Sequence, residues 1–192
     1  EMQRSLVGSE MCIRDRVKIN LYRRKEVDRM AKSIRNRTVV ADYLKVEEEF
    51  VFMGTGFTDI NESPNAKTNK KQYVNDKSPT SSIVSYESEF PYETDQIRDE
   101  KAIDFICDIG ELHKTGSESE TEYIRVDLDK PGTADNTFRA RKFNVAVQVD
   151  DLNSKDGEMT AKGKLLTRGD LEVGTFNTQS KEFTKGFTPK VG

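Results

Sequence analysis

From Thr38 to Phe183 strand signals dominate, as short β-prone runs and as stretches where apolar and polar residues alternate, the spacing of strands that bury one face. Thr38-Val39-Val40, Tyr43 to Val46 and Phe50 to Met53 are short β-prone runs. They predict a first hairpin that ends at the glycine break Gly54 and Gly56. Between Ser82 and Tyr92 the chain alternates, with Val84, Tyr86, Ser88 and Phe90 on one face and Ile83, Ser85, Glu87 and Glu89 on the other. One half-buried strand is expected there. Ile124, Val126 and Leu128 alternate against Tyr123, Arg125 and Asp127, and that strand stops before Pro131-Gly132.

Phe138 to Val149 is the longest strand candidate, with Phe143, Val145, Val147 and Val149 on one face. Phe138 and Ala140 are out of phase with that face, which predicts a β-bulge near Lys142. Asp156-Gly157 predicts a hairpin turn into a strand from Met159 to Leu166. Val173 to Phe176 is expected to pair with Phe183 across Asn177-Thr178-Gln179-Ser180.

Two stretches break the β period. Ala102, Phe105, Ile106 and Ile109 follow an i, i+3, i+4, i+7 spacing and predict one amphipathic helix between Asp95 and Leu112. Asp95, Asp99 and Glu100 suit its N-terminal dipole, and Gly110 its end. Asp59 to Ser82 is rich in Asn, Ser, Lys, Thr and Pro, with Tyr73 and Val74 as its apolar punctuation. It reads as a long mobile loop, or as a hairpin with Tyr73-Val74 in one arm. So long a polar connection in a compact domain is usually functional or disordered, which makes it the first candidate for partner contact.

The 192 residues are 34% hydrophobic and 34% charged, enough for one modest core. No apolar run approaches the roughly 18 residues that span a bilayer, and no signal-type apolar segment heads the chain. A soluble, unexported protein is expected. Two cysteines (Cys12, Cys107), one histidine (His113) and no tryptophan leave no material for a Cys/His zinc site.

The first residues read differently. Glu1 to Arg16 resemble translated sequencing-adapter read-through, and Val17 to Arg29 resemble a translated leader. Lys25-Glu26-Val27 can be encoded by a ribosome-binding purine run a short distance before the codon of Met30. Residues 1–29 are therefore expected to be a disordered, non-native leader, and residues 30–192 a single β domain. The alternative is a basic arm for an anionic partner. Residues 1–29 hold eight Lys and Arg against five Asp and Glu, so the net charge of −3 becomes −6 from Met30 on. Such an acidic domain is a poor grip for nucleic-acid phosphates.

The chemical motifs are weak. Gly54-Thr55-Gly56 resembles the start of a phosphate loop, but no helix pattern follows it. Asp151 to Gly157 resembles a calcium loop, but Lys155 occupies a ligand position and the glycine comes one residue late. Asn36-Arg37-Thr38 and Asn61-Glu62-Ser63 match the glycosylation acceptor pattern, which matters only in an exported protein. His113 has no accompanying nucleophile and reads as a surface residue at a helix end; Cys107 reads as a small reduced core residue. Glu118 to Glu122 reads as a solvated loop that a ring of subunits would multiply into a negative field. No catalytic, cofactor-binding or metal-ligating residue is nominated, and no enzyme is expected.

The order of elements carries more information. Arg37 to Leu44, a long polar loop, a helix from Asp99 to Gly110, Tyr123 to Pro131, and a closing hairpin from Gly174 to Thr184 together resemble the tail tube proteins of long-tailed bacteriophages and prophages. The phrases Asp95-Gln96-Ile97-Arg98-Asp99-Glu100-Lys101 and Asp127-Leu128-Asp129-Lys130-Pro131-Gly132 belong to that resemblance, which covers Met30 to Phe187.

The resemblance implies a mainly β (α+β) fold, a β-sandwich or partly open barrel with one flanking α-helix and a long polar loop. It further implies hexameric rings that stack into the hollow tube of a virion tail, assembled in the bacterial host cytoplasm. Type VI secretion tubes share that architecture. The implied partners are the chain itself, stacking through the Asp59 to Ser82 loop, and tape measure, tail tip and terminator proteins. The termini near Met30 and Val191 would bridge neighbouring subunits. DNA would pass through the lumen without specific binding, no membrane would be involved, and a net negative bore would avoid retaining phosphates. The competing class is a minor virion component or a β-sandwich that binds host-surface carbohydrate, although sugar sites usually stack on exposed aromatics and Trp is absent.

Overall fold

A computed structural model describes residues 34–190. The expected leader, the start at Met30 and the terminus at Val191 lie outside the described residues. Backbone contacts divide the chain into two units, Glu1–Arg37 and Thr38–Gly192, and every strand and the α-helix belong to the second.

Among the described residues, ten strands and one α-helix make a mainly β fold. The strands are β1 (Val40–Val46), β2 (Glu49–Phe52), β3 (Phe57–Ile60), β4 (Ala66–Lys71), β5 (Thr80–Tyr86), β6 (Glu89–Asp95), β7 (Glu120–Pro131), β8 (Thr137–Lys155), β9 (Glu158–Asn177) and β10 (Glu182–Lys185); helix α1 spans Lys101–Glu111. The main sheet has the order β2-β1-β7-β8-β9-β6-β3, with β10 also on β9, while β4 and β5 form a separate two-stranded sheet. All pairings are antiparallel. The main sheet curls into an open half-barrel with α1 on its flank. Its edge strands β2 and β3 have four residues each, short enough to offer little template for unwanted pairing.

Three of the predicted hairpins form as expected. Tyr43 faces Phe52 across β1 and β2. Asp156 and Gly157, both at positive φ, make the tight turn between β8 and β9. Phe183 faces Phe176 across β9 and β10, and the Asn177 Oδ1 accepts hydrogen bonds from the Gln179 and Ser180 amides in the turn between them.

A register irregularity falls beside Lys142, as expected, but the phase slip along β8 has another cause. Its register with β7 runs unbroken from Ala146 to Arg139. Two cores on opposite faces of the sheet explain it: Phe143, Val145 and Val147 pack in one with Leu44, Phe90, Tyr123 and Leu165. Ala140 and Phe138 pack in the other with Tyr43, Ile124, Val126 and Phe176. The irregularity opposite Lys142 and Asn144 belongs to β9, whose extra residues surround Gly169 at φ +72°. β9 therefore runs through both strands expected at Met159–Leu166 and Val173–Phe176.

The helix carries the expected stripe and more. Ala102, Ile106 and Ile109 enter the first core, while Ile103 and Cys107 pack with Ala161. It starts later than Asp95, because β6 continues to that residue. Gly110 lies inside the helix and does not end it. A Cβ there would lie 2.8 Å from Val149 Cγ1 and 3.3 Å from Leu152 Cδ1, so the missing side chain lets α1 approach the sheet.

The Ser82–Tyr92 strand is two strands. Phe90, Tyr92 and Thr94 alternate into the core from β6, but Val84 and Tyr86 are on β5, 67% and 60% exposed. The long polar loop is present and has structure of its own, the β4–β5 hairpin. Tyr73 and Val74 lie at its tip, where the Asp76 amide donates to the Tyr73 carbonyl, instead of in one of its strands.

Candidate assembly site

The β4–β5 hairpin, the arm, is solvated on every residue of both strands. An isolated two-stranded hairpin is marginal in water, and this one gains no core of its own. Its register shifts between Lys67 and Thr68, so that Ile83 and Val84 together oppose Thr68, close to the Ala66–Tyr86 pair. The arm thus displays Ile83, Val84 and Tyr86, each more than half exposed, and Tyr73 and Val74 at its tip. Such a grouping of exposed apolar residues makes the arm the candidate contact surface.

Charge separates the arm from the body. Between Asn65 and Glu87 the chain has Lys67, Lys70, Lys71 and Lys77 against Asp76 and Glu87. Lys67 pairs with Glu87 at 3.0 Å. Lys70, Lys71 and Lys77 make no ion pair among the described residues, on a protein that is otherwise acidic.

The root of the arm is held by a polar network that runs from the interior to the surface. Asp42, Arg125 and Arg141 occupy one cross-strand row of β1, β7 and β8. Asp42 is 1% exposed, and its Oδ1 accepts from the Tyr123 hydroxyl at 2.5 Å and from Arg125 Nε at 2.8 Å. Arg125 continues outward, donating from Nη2 to the Ile60 carbonyl at 3.0 Å and from Nη1 to Glu62 Oε2 at 3.1 Å. Arg141 completes the clamp with two bonds to the same carboxylate, Nη1 to Oε1 at 2.6 Å and Nη2 to Oε2 at 2.9 Å. The guanidinium of Arg125 lies 5.2 Å from the Phe90 ring centre and that of Arg141 5.9 Å from the Phe143 ring centre. One residue beyond Glu62, Ser63 and Glu89 exchange both backbone hydrogen bonds at 2.9 Å, closing the base of the arm.

The electrostatics follow from this packing. Burial pushes the Glu62 carboxyl up, but Arg141 and Arg125 outweigh it and hold the pKa below the usual 4.5. Burial, then the Asp42 charge, push the Tyr123 phenol well above its ordinary value. Burial works against the Arg125 charge, yet Tyr123, Asp42 and Glu62 raise its pKa further. These groups have opposite charges or accept hydrogen bonds from one another, as a structural network requires.

A second row of charge crosses the sheet. Lys45, Glu122, Lys142, Glu172 and Lys185 alternate in sign over β1, β7, β8, β9 and β10, at 3.8, 3.4, 3.4 and 3.0 Å. Glu120 pairs with Arg168. The acidic run expected to be a solvated loop is thus partly engaged in cross-strand pairs on β7. Neither charged row is legible in the sequence, since alternation alone places Arg125 and Asp127 on a solvent face; the central position of β7 buries both.

The remaining candidates fall where their chemistry predicts. His113 is exposed just beyond α1, and Cys107 is a buried free thiol whose pKa burial raises. A strand, β3, follows Gly54-Thr55-Gly56, so no helix N-terminus meets a phosphate there. Asp151 to Lys155 extend β8 into the hairpin turn. Among the described residues no helix is long and apolar enough to cross a membrane.

No protein-family model and no curated protein matches the chain. Solved structures do. The fold is similar to that of a chain in the tail of an empty GTA particle, computed with helical refinement and C6 symmetry: 12% identity and a TM-score of 0.52 over 72% of this chain and 97% of that one. It is equally similar to a chain in the virion of the native gene transfer agent particle, with 12% identity and a TM-score of 0.52 over 73% and 98%. The class is therefore a mainly β fold shared with phage-like tail structures. Each relative is covered almost end to end, and the shared feature is the fold.

Proposed function

We propose that the chain is a structural subunit of a phage-type virion tail tube, which closes into hexameric rings and stacks them into a hollow conduit for DNA. The observation that carries this reading is the arm. It is a solvated hairpin with an apolar grouping and three lysines that make no ion pair among the described residues, attached to a body that shares its fold with tail structures. Burying that hairpin on a second copy would supply the apolar contact it lacks alone. Heterologous contacts of this kind close into rings or run on as filaments, and stacked rings use both. Tape measure, tip and terminator proteins would meet the ends of the tube, and DNA would slide past a net negative bore. The role needs no catalysis.

Negative-stain electron microscopy of the purified chain, at low and high concentration, tests this reading. Hollow tubes or six-membered rings that grow with concentration are the expected result, since assembly follows mass action. Monomers at every concentration, also when tail tip components are added, would count against it.

A further inference from the structure

We propose that Glu62 is a positioning residue for assembly: clamped by Arg125 and Arg141, its carboxylate fixes the direction of the arm before a second copy arrives. This rests on the reading that the arm meets another subunit, and it adds which residue makes the arm competent to do so.

Three observations converge. First, Glu62 receives three guanidinium hydrogen bonds between 2.6 and 3.1 Å, more than an ordinary surface ion pair makes. Second, the clamp is anchored inward, because Arg125 is held by buried Asp42 and by the Ile60 carbonyl. The guanidinium therefore cannot follow the arm if the arm swings. Third, Glu62 adjoins the Ser63–Glu89 bridge; beyond it the root has the Glu87 amide on the Asn65 carbonyl and the Thr167 amide and hydroxyl on the Ser88 carbonyl before β4 and β5 leave the main sheet. The backbone bonds hold the two segments leaving the body side by side, and the Glu62 clamp is the one charged tie from that root to β7 and β8 among the bonds described. A hinge there would have to be ordered on assembly, and that ordering opposes association.

The test uses the full chain with Cys12→Ser, leaving Cys107 buried. Glu62→Gln is compared with the unchanged chain for three readouts: thermal midpoint, amide exchange at Ser63 and Glu89 in the unassembled subunit, and the protein concentration at which tubes first appear. Faster exchange at the root and a threshold raised about tenfold, the size expected when association must order one free hinge residue, are the expected results. Arg141→Gln leaves the Asp42–Tyr123–Arg125 stack in place and should act in the same way; it also serves if Glu62→Gln does not fold.

Adding Ser63→Cys and Glu89→Cys to either variant supplies a covalent substitute, because a directly paired antiparallel position suits a disulfide. The oxidised form should recover the native threshold and the reduced form should not. A merely stabilising role would lower the thermal midpoint without this rescue. An unchanged threshold in both variants, in a chain whose assembly is abolished by deleting residues 66–86, overturns the inference. Normal assembly after that deletion overturns instead the reading that the arm joins subunits.

Discussion

The Tyr123 hydroxyl donates to Asp42 at 2.5 Å inside the sheet, and the same carboxylate oxygen accepts from Arg125 Nε at 2.8 Å. The two donors on β7 thus share one acceptor on β1. Removing the acceptor differs in kind from removing a donor. Asp42→Ala leaves a buried guanidinium without its inner partner, a class of change that costs about 3–5 kcal/mol. Tyr123→Phe keeps the Asp42–Arg125 pair and should cost about 1.5–3 kcal/mol, the worth of one hydrogen bond to a charged group. Urea unfolding followed by circular dichroism measures both. Equal losses would show that Asp42 does not organise the stack.

Acid should weaken the same region. The Glu62 pKa is lowered in the folded protein from 4.5, so below about pH 4.5 the unfolded chain takes up the proton first. The stability this group contributes is present above that pH and is lost as pH falls through the folded pKa. Urea midpoints between pH 7 and pH 3 should therefore fall more steeply for the native chain than for Glu62→Gln. Parallel curves would mean that the carboxylate is not held by Arg125 and Arg141 in solution.

Gly110→Ala should destabilise, against the usual trend. Within a helix the change ordinarily gains about 1 kcal/mol. Here the new methyl would meet Val149 Cγ1 at 2.8 Å and Val149 Cβ at 3.2 Å, and a β-branched neighbour has little rotamer freedom with which to yield. Overpacking of this kind costs about 1–3 kcal/mol, so the expected outcome is a lower thermal midpoint. A raised midpoint would mean that α1 can lift away from the sheet.

These three sites show which features the sequence discloses. Turns with strong local chemistry are readable: Asp156-Gly157 and Asn177 to Ser180 both lie where turn residues predict them. The helix is readable from its apolar spacing, but its end is not, because Gly110 answers to Val149 across the fold rather than to the local backbone. Period 2 locates β7 and gives the wrong environment for half of it. Arg125 and Asp127 look solvent-facing in one dimension, and only the strand order puts β1 and β8 on either side of them. The same limit applies to Val84, Tyr86 and Phe90. They share a phase, yet the chain leaves the body between Tyr86 and Glu89, so the first two belong to the arm and the third to the core. The candidate partner-contacting segment is legible by composition, whereas the residue that holds it, Glu62, carries no local signal.

The arm itself yields the most direct prediction. The side chains of Ile83, Val84, Lys70, Lys71 and Lys77 are exposed in the isolated subunit, so Ile83→Ser with Val84→Ser, or the three lysines changed to Glu, should leave its stability within about 0.5 kcal/mol. Both variants should raise the threshold for tube formation, for different reasons. The serine variant loses apolar contact and should stay impaired at any ionic strength. The glutamate variant loses attraction between a basic arm and an acidic neighbour, and its deficit should shrink as salt shortens the screening length from about 10 Å at 0.1 M to about 3 Å at 1 M. Amide exchange supplies an independent check: residues 66–86 should exchange rapidly in the free native subunit and slowly in tubes. Equal protection in the two states, together with unchanged thresholds, would place the subunit contact elsewhere on the body.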